Sequence, residues 1–259
     1  MVIFASSIGR SGTAYLANLF DRCTSIPSFH ACEPLCHGDV QRCVCEGMPR
    51  PELQQKAEII AKIEREKGAY FESSQVFMRV LAKDFLLRFS EVAVVHLLRD
   101  PEEVARSYVN RDSFPSHPSR PWRLPLNTRC AILNAPQNLT PFQENLCDWL
   151  DNELHYLALK HQFSRTVDLH FADFGSAAAL ERLFADLGVS FDAKRIQQHT
   201  QARDLGRNPN KVKTTVSSAD RQQMLSLVST LKESKFDAST FRLACYARFP
   251  FIQALTGDT

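Results

Sequence analysis

The sequence predicts an α/β fold: a parallel β-sheet flanked by helices on both faces. Three observations predict it. Short apolar runs alternate with helical patterns along the chain, the order that βαβ units require. One run, Val92–Leu98 (VAVVHLL), is apolar almost throughout, as a strand buried on both faces must be. The first run, residues 2–7, passes through a Gly-containing turn into a helical pattern. Strand, loop and helix in that order place a ligand site at the carboxyl edge of such a sheet.

Taken in order, residues 2–7 predict a strand and Thr13–Cys23 a helix. Residues 24–50 hold Pro, Cys and Gly without periodicity, which predicts a long loop of the kind that carries function. Pro51 opens a charged helix that Gly68 ends, with Pro in the first turn and Gly just past the last. Residues 69–72 predict a short strand, 76–89 an amphipathic helix and Val92–Leu98 the central strand. Asp100-Pro101-Glu102-Glu103 then reads as a helix start: an acidic cap, Pro at the first position and acids in the first turn. Residues 113–140, rich in Pro, Ser and Asn, predict an irregular excursion able to cover a substrate. Beyond it come a helix over 141–161, a strand over 166–171, a helix over Ala177–Leu187 stopped by Gly188, and a mainly helical remainder that includes 218–234. No repeat or low-complexity segment interrupts 1–259, so one domain is expected.

Composition narrows the function classes. With 259 residues and 44% hydrophobic content the chain can bury a large core. A net charge of +2 supplies no broad field for nucleic acid or an anionic membrane, so neither is an expected partner and any anion site must be local. No run approaches the roughly 20 apolar residues of a membrane-spanning helix, and the opening Met-Val-Ile-Phe-Ala-Ser lacks the pattern of a secretory leader. A cytoplasmic location is therefore expected, and the sequon at Asn138 is set aside. Of the eight cysteines, Cys32, Cys36, Cys43 and Cys45 cluster, flanked by His30 and His37. The spacing is not the paired CxxC of common zinc modules. A loop with free thiols is preferred to a metal site, with disulfides open to it in an oxidising compartment.

Two segments carry the chemistry. Ser6-Ser7-Ile8-Gly9-Arg10-Ser11-Gly12-Thr13 joins a buried strand to a helix, so its amides and hydroxyls converge on the positive end of the helix dipole as a phosphate cradle. It lacks the Gly-Lys-Ser/Thr closure of nucleotidases, since Thr13 and Ala14 follow Gly12. Arg10-Ser11-Gly12-Thr13 after an apolar strand resembles the 5′-phosphosulfate loop of the PAPS-dependent sulfotransferase family. The second segment, from His96 through Arg99-Asp100-Pro101 to Arg106-Ser107-Tyr108, resembles that family's 3′-phosphate motif. It puts Arg99 at a strand end and Ser107 two turns into the helix. A weaker echo comes from Val167-Asp168-Leu169, the helix after Asp173, and Trp149.

The resemblance implies a P-loop-NTPase-like sulfotransferase architecture and metal-free, in-line transfer of a sulfuryl group from PAPS, giving PAP. It implies Ser11, Gly12, Thr13 and Ala14 as 5′-phosphate ligands, Arg10 as ligand and stabiliser of the leaving phosphate, and Arg99 and Ser107 on the 3′-phosphate. A guanidinium fork suits a dianionic phosphate. The family's late basic loop is represented by Lys211 and Lys213. Transfer also needs a base for the acceptor proton; Glu33 is the first candidate and Glu72 the rival, because Glu72-Ser73-Ser74-Gln75 stands where cytosolic relatives have a Lys-Thr-His element. His96, His155 and His170 fall within predicted elements and read as core or surface residues. The expected acceptor is a small molecule. The alternatives are a small-molecule kinase, for which Asp100 would have to hold Mg²⁺, and a non-catalytic nucleotide-binding module.

Overall fold

A computed structural model describes residues 1–36, 46–48, 50–119, 123–126, 128–201 and 215–257. Its strands are β1 (Val2–Ser6), β2 (Ser28–His30), β3 (Tyr70–Ser73), β4 (Val92–Leu98) and β5 (Arg165–His170). They form one parallel sheet in the order β2-β3-β1-β4-β5. The chain leaves central β1 toward β2 on one side, returns to β3, then crosses to β4 on the other side. This reversal makes a crevice at the carboxyl ends of the strands.

The helices are α1 (Thr13–Cys23), α2 (Pro51–Lys67), α3 (Ala82–Arg88), α4 (Pro101–Val109), α5 (Pro141–Leu159), α6 (Ala177–Leu187), α7 (Ala193–Gln201), α8 (Ser218–Glu233) and α9 (Pro250–Thr256). Alternation along the strands assigns their faces. Val2, Phe4, Val92 and Val94 face Ile60 of α2 and Phe85 of α3, with Phe4 stacked on Phe77 at 4.1 Å. Ile3, Ala5, Ala93 and Val95 face Leu16 and Phe20 of α1 and Leu180 of α6, with Phe20 stacked on Phe71 at 3.8 Å. A third apolar cluster gathers α4, α5, α8 and α9 beyond the end of β4.

The structure corrects two expectations. The stretch predicted as loop contains β2, a three-residue edge strand paired with β3. It is too short to show a period, and edge placement frees it from the apolar run of a central strand. The helix over 76–89 is a π-turn, Phe77–Leu81, followed by the seven-residue α3. Residues 113–119, 123–126 and 128–140 form no helix or strand, and α5 pins them: Asp151 Oδ1 accepts from the amides of Ile132 and Leu133 at 2.7 and 2.8 Å.

Candidate active site

The loop after β1 turns on left-handed residues: Gly9 at φ +97°, Arg10 at +58° and Gly12 at +94°. A Cβ on Gly9 would run into the Tyr108 hydroxyl, and one on Gly12 into the Phe174 ring, so both positions need glycine for space as well as for φ. Ser7 Oγ accepts from Gly9 N at 3.1 Å and Ser11 Oγ donates to Gly9 O at 3.2 Å, which fixes the turn from within. Gly12 stands at the N-cap of α1, which has no side-chain cap and no acid in its first turn. The first-turn amides at the positive end of the dipole are thus left to a ligand, and an anion is the ligand they suit. By contrast α4 is closed: Asp100 accepts from Glu102 N and Glu103 N at 2.8 and 3.3 Å.

The two motifs interlock. Arg99 Nη1 donates to Arg10 O at 2.6 Å, and Arg10 Nε donates to Ser107 Oγ at 3.1 Å. The rest of the Arg99 fork pairs with Glu103, four residues on and half-exposed, at 3.0 and 2.9 Å. The Arg99 guanidinium also lies 4.6 Å from the centre of the Phe171 ring. Burial lowers the Arg10 pKa, and the like charges of Arg111 and Arg99 lower it further. Three guanidiniums around one loop form an electrostatic demand for an anion.

Beside the loop opens a cleft of about 340 Å³, lined by Gly9, Arg10 and Thr13 after β1, His30 and Ala31 after β2, Ser73 and Gln75 after β3, and Tyr108, Arg111 and Ser113 after β4. Every wall therefore comes from the carboxyl edge of the sheet. His30 is solvent-accessible, and its Nδ1 is 2.8 Å from Ser73 Oγ. Burial of the ring lowers its pKa, and the Ser73 backbone and the Glu72 charge offset only part of that, so His30 is neutral at pH 7. The Tyr108 hydroxyl donates to Ile8 O. Ser113 is buried, and its Oγ has no hydrogen-bond partner among the described residues.

The structure brings Arg10, Ser11, Gly12, Thr13, Ala14, Arg99 and Ser107 into one region, with Ala14 exposed on the first turn of α1. It does not bring the two candidate bases there. Glu33 is exposed, accepts from Leu35 N at 3.2 Å through Oε2, and does not line the cleft. Glu72 is fully buried, with Oε1 taking Lys56 Nζ at 2.9 Å and Cys32 N at 3.1 Å and Oε2 taking the Tyr70 hydroxyl at 2.6 Å. A carboxylate so enclosed anchors the end of β3, and it is not among the groups that line the cleft. Lys211 and Lys213 lie outside the described residues, as do His37, Cys43 and Cys45. Cys130 is disulfide-bonded, while Cys23, Cys32, Cys36, Cys147 and Cys245 are free thiols. Among the described residues no group of His, Cys, Asp and Glu could hold a metal ion, and no helix is long and apolar enough to cross a membrane.

His96 and His155 serve the framework. The fully buried His96 bridges Glu153 Oε2 at 2.6 Å and Asp168 Oδ1 at 2.8 Å, and Tyr246 donates to the same Glu153 oxygen at 2.7 Å. Burial opposes the charged imidazolium, but the two carboxylates outweigh it and lift the His96 pKa to about 9. His155 donates to Cys130 O at 2.7 Å. The base-capable residue that sequence reasoning passed over is His30, noticed only as a neighbour of the cysteines; its one available signal was its place at the end of a strand too short to recognise.

No protein-family model matches the chain, and a search of curated proteins finds no significant match. Solved structures do. The sulfotransferase domain of the Synechococcus PCC 7002 olefin synthase superposes with a TM-score of 0.53 at 14% identity, covering 86% of this chain and 92% of that one. The chain has the sulfotransferase fold. A second sulfotransferase domain, from the curacin biosynthetic pathway, gives a TM-score of 0.51 at 12% identity over 90% of this chain and 97% of its own. In this sulfotransferase fold the interlocked loops lie where β1 and β4 end, the edge that the topology reserves for ligand.

Proposed function

We propose that the protein transfers the sulfuryl group of PAPS to a hydroxyl or amine of a small acceptor and releases PAP. One observation carries the reading: Arg10 is hydrogen-bonded to both Arg99 and Ser107 beside the uncapped N-terminus of α1. An uncapped helix start and the Arg10 guanidinium suit the 5′-phosphosulfate, where negative charge builds up on the leaving phosphate. Arg99, with Glu103 displaced, and Ser107 suit a 3′-phosphate. The weak, half-exposed i,i+4 pair that now occupies Arg99 costs little to break.

The cleft volume falls in the small-molecule range of roughly 300–1,000 Å³, which supports a small acceptor over a macromolecular one. The orphaned Ser113 hydroxyl is a group such an acceptor could satisfy. A kinase is disfavoured because Asp100, the residue that would have to hold Mg²⁺, spends its carboxylate on capping α4.

The test is the melting temperature with saturating PAP, ADP and Mg-ATP, on the wild type and Arg99→Ala. Ligand at a hundredfold its Kd stabilises by about 2.7 kcal/mol. PAP should raise the melting temperature by several degrees, ADP much less, and Arg99→Ala should remove the difference. Stabilisation by Mg-ATP alone would establish the kinase instead.

A further inference from the structure

We propose that His30 is the general base of the reaction, taking the acceptor's proton on Nε2 while Nδ1–H is held by Ser73 Oγ. The inference rests on the sulfuryl-transfer reading and names the group that reading leaves open.

Elimination around the cleft leads to it. Of the side chains lining the cleft, Arg10 and Arg111 are cations, Thr13, Ser73 and Ser113 are hydroxyls, and Gln75 is an amide. None of these accepts a proton at neutral pH. Tyr108 is tied to Ile8 O, and burial raises its pKa. Both carboxylates that the sequence suggested lie off the cleft, Glu33 exposed and Glu72 sealed by Lys56, Tyr70 and the Cys32 amide. His30 remains.

Its geometry suits the task. Parallel pairing sets His30 directly beside Ser73, and the Ala31 amide donates to Ser73 O at 3.0 Å, so the backbone that carries the ring is fixed to β3. The 2.8 Å contact lets Nδ1–H donate to Ser73 Oγ, and in that tautomer the lone pair is on Nε2. Across the cleft stand Arg10 and Thr13, the side from which the donor would present its sulfur. In the transfer, the acceptor O–H or N–H bond breaks and its proton goes to Nε2. The acceptor atom forms the new bond to sulfur, and the bridging S–O bond to the phosphate breaks with its electron pair leaving on PAP. The charged groups around the ring are Glu72 with its partner Lys56 behind it, and Arg10 and Arg111 in front. Burial of the ring keeps it neutral, the form a base must have, with Ser73 and the Glu72 charge opposing only in part.

The experiment uses the full chain with PAPS and a panel of phenols, alcohols and amines, following PAP release by chromatography. His30→Gln should lower kcat by a factor of about 10²–10⁴ and leave the PAP-induced rise in melting temperature intact. The wild-type rate should climb with pH through a titration below 6.5 that is missing from the variant. Glu33→Gln is the rival arm. Turnover by His30→Gln within threefold of wild type, or loss in Glu33→Gln with His30→Gln active, overturns the assignment while the donor reading stands. A wild type that does not bind PAP, or that binds it and releases none from PAPS with any acceptor, overturns both.

Discussion

His96 ties stability to alkaline pH, and the size of the effect can be worked out. The ring ionises near 6.5 when unfolded and at about 9 when held between Glu153 and Asp168. A group whose pKa is raised on folding stabilises fully below its unfolded value and loses that contribution as pH rises through the folded one. At about 1.4 kcal/mol per pH unit, the interval is worth roughly 3 kcal/mol, present at pH 6 and gone by pH 9.5. The lowered pKa of Asp168 belongs to the same pair and is not added. Burial also raises the thiol pKa values of Cys36 to about 11 and Cys245 to about 12, and that of Cys147 further, so these thiols add a loss of their own as the unfolded chain ionises toward pH 9, and the His96 contribution is the difference between wild type and a His96 variant. Urea unfolding at half-unit pH steps, read by Trp149 fluorescence, measures the effect; the indole lies 6.0 Å from Tyr246, a member of the cluster. His96→Gln should unfold at lower urea at pH 6 and lose less stability than the wild type between pH 6 and 9.5. A wild-type loss below about 1 kcal/mol, or an equal loss in the variant, refutes the bridge.

Gly12→Ala must hold a methyl group at φ +94° against Phe174, so it should lose about 1–3 kcal/mol of stability and most PAP affinity, measured by urea unfolding and calorimetry. Lys56→Met leaves the Glu72 charge buried without its cation and should cost about 3–5 kcal/mol; adding Glu72→Gln should restore much of it, a recovery absent if Glu72 does its work in the cleft. Cys130 should resist alkylation in the denatured, unreduced protein and become labelled after reduction, by peptide mass; labelling before reduction excludes the disulfide.

Elements with a complete local signal were legible in the sequence. The buried run of β4, the left-handed glycines that close α2 and α6, and the Asp100-Pro101 start of α4 each encode their structure within a few residues. The tight left-handed turn between β1 and α1 was legible for the same reason. What stayed hidden depends on partners distant in sequence. Glu72 resembled a candidate base until Lys56, Tyr70 and the Cys32 amide closed around it. β2 exists because β3 offers it an edge. His30 acquires a role only through Ser73, a residue 43 positions away. The departure of Phe77–Leu81 from a regular helix follows packing against β1 and has no local mark.

The segments on which the family resemblance mainly rests lie before residue 190, yet that stretch is not self-sufficient. Tyr246 completes the Glu153 carboxylate deep in the molecule, and Phe241, Phe249, Phe251, Ile252 and Leu255 supply one wall of the cluster that backs α4 and α5. The closing segment therefore acts as a keystone. Trimming the chain to its recognisable part would strip apolar support from the helix that carries Ser107 and leave Glu153 short of a donor, and a fragment chosen by motif alone would lose its anion site through collapse of the scaffold and not through loss of any ligand.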